Sequence, residues 1–318
     1  MFSIHKKDEN GFQKVILKNN AANTYATILP ACGAILHDFV SHNNGQAFNV
    51  IESYVSADDF KDHVETKGFL GCKLSPFVCR INRGIYHFGG KKYKIKKFYV
   101  NKSALHGELY DKPFLIMGET ANELHASITM KYEYRAEDPG YPFNYDCIVT
   151  WQLENDNKLS VTTECINKDE GLIPMQDGWH PYFNLGDAID ELQLEFQSNE
   201  MVEFNNELIP TQNLIKYIGF NSLKKIENTF LDNCFTLNMD ACQPLCVLRN
   251  PAKKIEIEFY PEKSYPYLQI YIPPHRKSIA IENISGAPDA FNNGMGFTTL
   301  EPGTSVLFKT GYKVTYLK

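Results

Sequence analysis

Phe143-Asn144-Tyr145-Asp146-Cys147-Ile148-Val149-Thr150-Trp151-Gln152-Leu153 is the stretch whose pattern decides the fold class. Phe143, Tyr145, Cys147, Val149, Trp151 and Leu153 recur at every second position, and Asn144, Asp146, Thr150 and Gln152 lie mostly between them. A period of two places the apolar set on one face of an extended chain, as in a half-buried antiparallel strand. The same alternation runs through Ile128, Met130, Tyr132 and Tyr134, through Leu159, Val161 and Thr163, and through Ile255, Ile257 and Phe259. Helical signals are few. Ser56-Ala57-Asp58-Asp59 has the spacing of a capping box and predicts a short helix through His63. Turn pairs such as Asn44-Gly45, Gly89-Gly90 and Pro302-Gly303 punctuate the strands. Many strands, short turns and few short helices predict an all-β protein, a sandwich of large antiparallel sheets. With no linker, internal repeat or low-complexity tract, residues 1–318 read as one domain.

The bulk composition narrows the function. Of the 318 residues 43% are hydrophobic and 22% charged, enough apolar side chain for a large core. Acidic residues outnumber basic ones 38 to 32, for a net charge of -6. The one basic cluster, Lys91-Lys92-Tyr93-Lys94-Ile95-Lys96-Lys97, alternates like the solvated face of a strand. A nucleic-acid partner is therefore not expected, since phosphate-backbone binding needs concentrated positive charge. No run of about 18 apolar residues occurs, so no membrane association is expected, and the first residues lack the apolar core of a signal peptide. A cytoplasmic location is the corresponding expectation. The eight cysteines form no C-x-x-C pair, which favours buried reduced thiols over a zinc site. Glycine loops for nucleotides or phosphate, H-E-x-x-H and G-x-S-x-G are all missing, leaving hydride transfer, phosphoryl transfer and serine hydrolysis without support.

Three polar segments remain. Arg80-Ile81-Asn82-Arg83-Gly84 is followed by Ala104-Leu105-His106-Gly107-Glu108; Asp177-Gly178-Trp179-His180-Pro181-Tyr182-Phe183-Asn184-Leu185 stands mid-chain; Ile279-Ala280-Ile281-Glu282-Asn283 leads to Pro288-Asp289-Ala290-Phe291-Asn292. Singly, each has a plain structural explanation. His106 fits a turn, His180 could stack within a core, and Glu282 could face solvent from an edge strand.

In this order, and joined by Leu231-Asp232-Asn233-Cys234-Phe235 and Leu300-Glu301-Pro302-Gly303, these segments resemble the aldose 1-epimerase (galactose mutarotase) family over nearly the whole chain. The resemblance implies an antiparallel β-supersandwich with an open carbohydrate cleft. It implies Glu282 as general base, His180 as general acid and His106 as a second active-site histidine. Arg80 and Asp232 would bind the sugar. The implied reaction interconverts the anomers of a free aldohexose by opening and closing the ring. A carboxylate takes the C1 hydroxyl proton while an imidazole protonates the ring oxygen, which requires neither metal nor organic cofactor. The histidine must then be protonated, a state that a nearby carboxylate favours. The chain departs from the family pattern at Cys79, where an amide is common, at Glu108 and at Trp179, so a preference for galactose does not follow. Two alternatives stay open: a hexose-6-phosphate mutarotase, with Arg83, Arg276 and Lys277 as candidate phosphate contacts, and a non-catalytic carbohydrate-binding module. A metal site of His106, His180 and Glu282 has suitable ligand types but no short spacing to support it.

Overall fold

The computed structural model describes residues Met1–Lys318 and is built almost wholly from antiparallel strands. The alternating segment around Tyr145 and Trp151 forms the strand Asn144–Glu154, flanked by His125–Arg135 and Lys158–Asn167. These three, with Ser305–Tyr316, Ile255–Phe259 and four further strands, make a nine-stranded sheet. Tyr145, Cys147, Val149, Trp151 and Leu153 are buried as the alternation predicts. Asp146, on the other face, is buried too, because Lys131 and Arg135 converge on its carboxylate at 3.0 and 2.6 Å.

A second nine-stranded sheet faces the first and carries the polar segments. Its order runs Pro210–Lys216, Glu200–Phe204, Asp232–Thr236, Tyr267–Tyr271, Ile279–Ile284, Gly178–His180 and Cys72–Leu74, with Tyr182–Phe183 and Ile51–Glu52 attached beside Ile279–Ile284. A five-stranded sheet of residues 2–49 packs on the first large sheet. The main core lies between the sheets. Trp151 and Trp179, one from each large sheet, meet edge to face at 5.2 Å, and the Thr310 hydroxyl donates to Asn283 Oδ1 at 2.8 Å across the same gap.

The predicted helix is Ala57–His63, with Ser56 Oγ accepting from the Asp59 amide at 3.1 Å. The lysine cluster forms the exposed strand Lys91–Lys94, although Lys97 turns inward to donate to the Glu108 carbonyl at 2.6 Å. Seven cysteines are buried and free; Cys242 is exposed and free, an exception to the expected burial. No helix is long and apolar enough to cross a membrane.

One ion pair is sealed in this interior. Lys73, opposite Trp179 in register, has its ammonium on the Asp177 carboxylate, and both side chains are fully buried. Lys73 Nζ also donates to the Gly178 carbonyl at 3.2 Å and stands 4.6 Å from the Trp179 ring centre. Tyr265 donates its hydroxyl to Asp177 Oδ1 at 3.2 Å. Burial pulls Lys73 down to about 8, which leaves it charged at neutral pH. Asp177→Ala strands that charge and should cost about 3–5 kcal/mol of stability. Adding Lys73→Met should recover much of the loss. Urea denaturation of the single and double variants checks this; losses that simply add would refute the coupling.

Candidate active site

The strand Ile279–Ile284 sorts its side chains by parity. Ile279 and Ile281 enter the main core, and Asn283 reaches Thr310 across it. Ala280, Glu282 and Ile284 therefore point to the sheet's other face. On the neighbouring strand, Leu268 and Ile270 are core residues, so Gln269, directly opposite Glu282, shares that outer face. Phe235 is core, which puts Asp232 and Cys234 there as well. Across the sheet Trp179 is core and His180 faces outward. Four polar side chains from four adjacent strands thus share one surface.

Arg80 and His106 approach this surface from a separate three-stranded piece, in which Leu105 pairs with Arg80. The His106 amide donates to the Cys79 carbonyl at 2.9 Å. His106 and Gly107 take positive φ values of 63° and 75°, and a Cβ on Gly107 would stand 2.4 Å from the Ser75 carbonyl oxygen. Only glycine fits that turn. The Pro288–Asn292 motif has a positioning task. The Asp289 amide donates to the Arg80 carbonyl at 2.7 Å, and Asp289 Oδ1 accepts from the Asn82 amide at 2.9 Å and from Asn292 at 2.7 Å.

The result is a cleft of about 200 Å³ lined by Arg80, His106, His180, Asp232 and Glu282, all five of the residues picked out in sequence. His180 Nε2 lies 3.4 Å from Glu282 Oε1, too long for a strong hydrogen bond. The His180 ring lies parallel to Tyr182 at 5.1 Å and edge-on to His106 at 5.0 Å; Phe69 closes the other side of His106 at 4.6 Å. Gln269 donates to Asp232 Oδ1 at 3.0 Å and fixes that carboxylate. Gln269 was not singled out in sequence, because Tyr267-Leu268-Gln269-Ile270-Tyr271 is apolar or aromatic on both faces and shows no alternation.

Several cleft atoms are buried without a partner: Glu282 Oε2, Gln269 Oε1, His106 Nδ1 and His180 Nδ1. An unmet buried polar atom costs on the order of 1–3 kcal/mol, and a ligand rich in hydroxyls would satisfy such atoms. Burial sets the protonation. It pushes Glu282 well above the usual carboxylate range, with Asp232 adding to the rise and Arg80 opposing it. It pulls His180 down to about 3 and His106 well below the ordinary imidazole value. Asp232 is raised by burial and held back by Arg80 and Gln269. A carboxylate does stand beside His180, as anticipated, but burial outweighs it. Burial thus favours the carboxylic acid and the neutral imidazole over the ion pair.

The family departures fall in different places. Trp179 faces the core and cannot touch a ligand in the cleft; Glu108 is buried away from it, whereas Cys79 lines it. None of Arg83, Arg276 and Lys277 lines the cleft, and Arg276 is held by Asp190 at 2.6 Å and by the Thr229 carbonyl at 3.2 Å. No group of three side chains is arranged to hold a metal ion.

The chain matches known proteins over most of its length. The family model described as aldose 1-epimerase matches residues 13–313. The chain is 26% identical over 243 residues to the uncharacterized protein YihR of Escherichia coli K12, covering 74% of this chain and 75% of that protein. It is 24% identical over 234 residues to the aldose 1-epimerase of the same organism, covering 70% of this chain and 64% of that protein. In structure it matches a galactose mutarotase-like protein from Clostridium acetobutylicum with a TM-score of 0.86 at 17% identity, covering 99% of each chain.

The raised Glu282 has a consequence for stability. Its folded-state value lies above the unfolded one of about 4.3, so the native state binds the proton more tightly. That contribution is complete below the unfolded value and is lost as pH rises through the folded one. Glu282→Gln has no such proton to lose. Its Tm should therefore gain on the parent's as pH rises above about 5. Thermal melts at rising pH check it; a constant Tm difference would contradict the burial argument.

Proposed function

Because the chain belongs to the aldose 1-epimerase family, we propose that it is a cofactor-independent isomerase that interconverts the α and β anomers of an uncharged free aldohexose. The observation that carries this reading is the buried Glu282–His180 pair, 3.4 Å apart in a cleft that also holds Arg80, Asp232 and His106. The cleft's carboxyl groups outnumber its one guanidinium, which favours a neutral sugar over a sugar phosphate.

In the reaction the Glu282 carboxylate accepts the proton of the C1 hydroxyl, and protonated His180 gives its proton to O5. The C1–O5 bond breaks and C1 becomes an aldehyde. Rotation about C1–C2 turns the other carbonyl face to the C5 hydroxyl. Ring closure returns the O5 proton to His180 and the Glu282 proton to O1. Arg80 and Asp232 orient hydroxyls through charge-assisted hydrogen bonds.

Burial helps the opening step. Before it the pair is ionic; after it the pair is a carboxylic acid and a neutral imidazole, the form that burial favours. Raising the carboxyl makes a stronger base, and lowering the imidazole makes its conjugate acid a stronger acid. Both forms carry one proton, so pH does not choose between them. The substrate does, by donating from its C1 hydroxyl to the carboxylate and accepting at O5 from the imidazolium.

Protein dialysed against EDTA should accelerate the optical-rotation change of freshly dissolved α-D-glucose or α-D-galactose. Glu282→Gln and His180→Asn should each lose at least about a hundredfold in rate while staying folded. Rates equal to buffer for the parent, or folded variants with most of their activity, would overturn the assignment.

The pH profile follows from the shared proton. The one-proton state is left on the acid side only when His180 takes a second proton, and burial holds that step down to about 3. On the alkaline side it is left when Glu282 loses its raised proton. After subtraction of the buffer rate, kcat/KM should show no acid limb with a midpoint near the ordinary imidazole value of about 6.5. An acid limb centred there would refute the buried-pair mechanism.

A further inference from the structure

A second cavity of about 540 Å³ adjoins the cleft, and the two share Glu65, Gly68, Tyr182 and Tyr271 as walls. At the shared wall the Gly68 carbonyl accepts from the Tyr182 hydroxyl at 2.9 Å, and a Cβ on Gly68 would stand 2.7 Å from that hydroxyl. At about 200 Å³ the cleft alone is below the roughly 300–1,000 Å³ of ordinary small-molecule sites, and with its neighbour it falls within them.

The second cavity has walls suited to a sugar ring. Tyr182 and Tyr271 stand edge to face at 6.5 Å, next to Pro273 and Pro274. Around these apolar surfaces lie Glu52, Glu65, Lys67 and His275. Glu52 Oε2 is buried without a hydrogen-bond partner, and Glu65 is held in place by the Tyr110 hydroxyl at 2.9 Å. Two carboxylates against one ammonium and one imidazole give no excess of positive charge, so an uncharged, hydroxyl-bearing group fits better than a phosphate.

Chemistry also indicates which end of the sugar lies nearest. With Glu282 at O1 and His180 at O5, the next atoms beyond O5 are C5 and C6. Tyr182, parallel to the His180 ring at 5.1 Å, is a wall of the second cavity. We propose that this cavity is a subsite for a second ring joined through O6, making reducing 1→6-linked disaccharides preferred substrates. The proposal rests on the anomer-interconversion reading above.

Its test compares D-glucose with melibiose and gentiobiose, both 1→6-linked with glucose at the reducing end. Optical rotation gives kcat and KM, and calorimetry gives Kd independently of turnover. The disaccharides should have KM and Kd about tenfold below those of glucose, with kcat little changed. Glu52→Gln, and separately His275→Ala, should remove most of that advantage and leave glucose kinetics unchanged. Disaccharide KM and Kd equal to or above those of glucose, or an advantage that survives both variants, overturn the subsite. An equal gain with 1→4-linked maltose overturns the O6 assignment. Absence of turnover with every sugar would instead defeat the isomerase reading, and the calorimetric comparison would still decide the subsite.

Discussion

The buried Lys73–Asp177 pair is the constraint on which the site's geometry depends. It ties the strand Cys72–Leu74 to the residues just before His180, on the core side of the sheet whose outer side forms the cleft. Asp177 also exchanges backbone and side-chain contacts with Ser285, which follows the Glu282 strand: the Ser285 amide donates to the Asp177 carbonyl and the Asp177 amide to Ser285 Oγ, both at 2.9 Å. One residue therefore joins the lysine strand, through its carboxylate, to the end of the Glu282 strand, through its backbone. An ion pair removed from water is weak evidence of net stability, because desolvation offsets much of its attraction. Its geometry, once formed, admits few alternatives.

What the sequence revealed and what it hid follow from the range of the interactions. Period-two alternation is local, so the long strands around Tyr145, Met130, Val161 and Ile257 were legible, as was the cap at Ser56. The five candidate residues were legible as residues through their ordered resemblance to a family. Their convergence was not, since it depends on strand register: that Gln269 sits opposite Glu282 is decided by pairing, not by either segment alone. Gln269 was missed for this reason as well. Lys73 was missed because a lysine in a short strand reads as an exposed residue until a buried carboxylate is found 104 positions away. The protonation of His180 was also beyond the sequence, which names neighbours but not the depth of burial that outweighs them.

The same parity that builds the cleft divides labour within single motifs. In Gly178-Trp179-His180 the middle residue supports the core and the last lines the cleft; in Ile281-Glu282-Asn283 the outer two serve the core and the middle one the cleft. A substitution in either triplet therefore acts on packing or on chemistry according to its position, with little overlap. Polar atoms without a partner occur on both faces: Glu282 Oε2 and His180 Nδ1 on the cleft side, Asn283 Nδ2 and Trp179 Nε1 on the core side.

The contact between Trp151 and Trp179 has a spectroscopic consequence. They are the chain's two tryptophans, and both are at most 1% exposed between the large sheets. Tryptophan emission, excited selectively over the 18 tyrosines, thus originates from one place, and separation of the two sheets would shift it for both indoles together. Fluorescence is for this protein a gauge of sheet-to-sheet packing, read from immediately behind the histidine of the cleft.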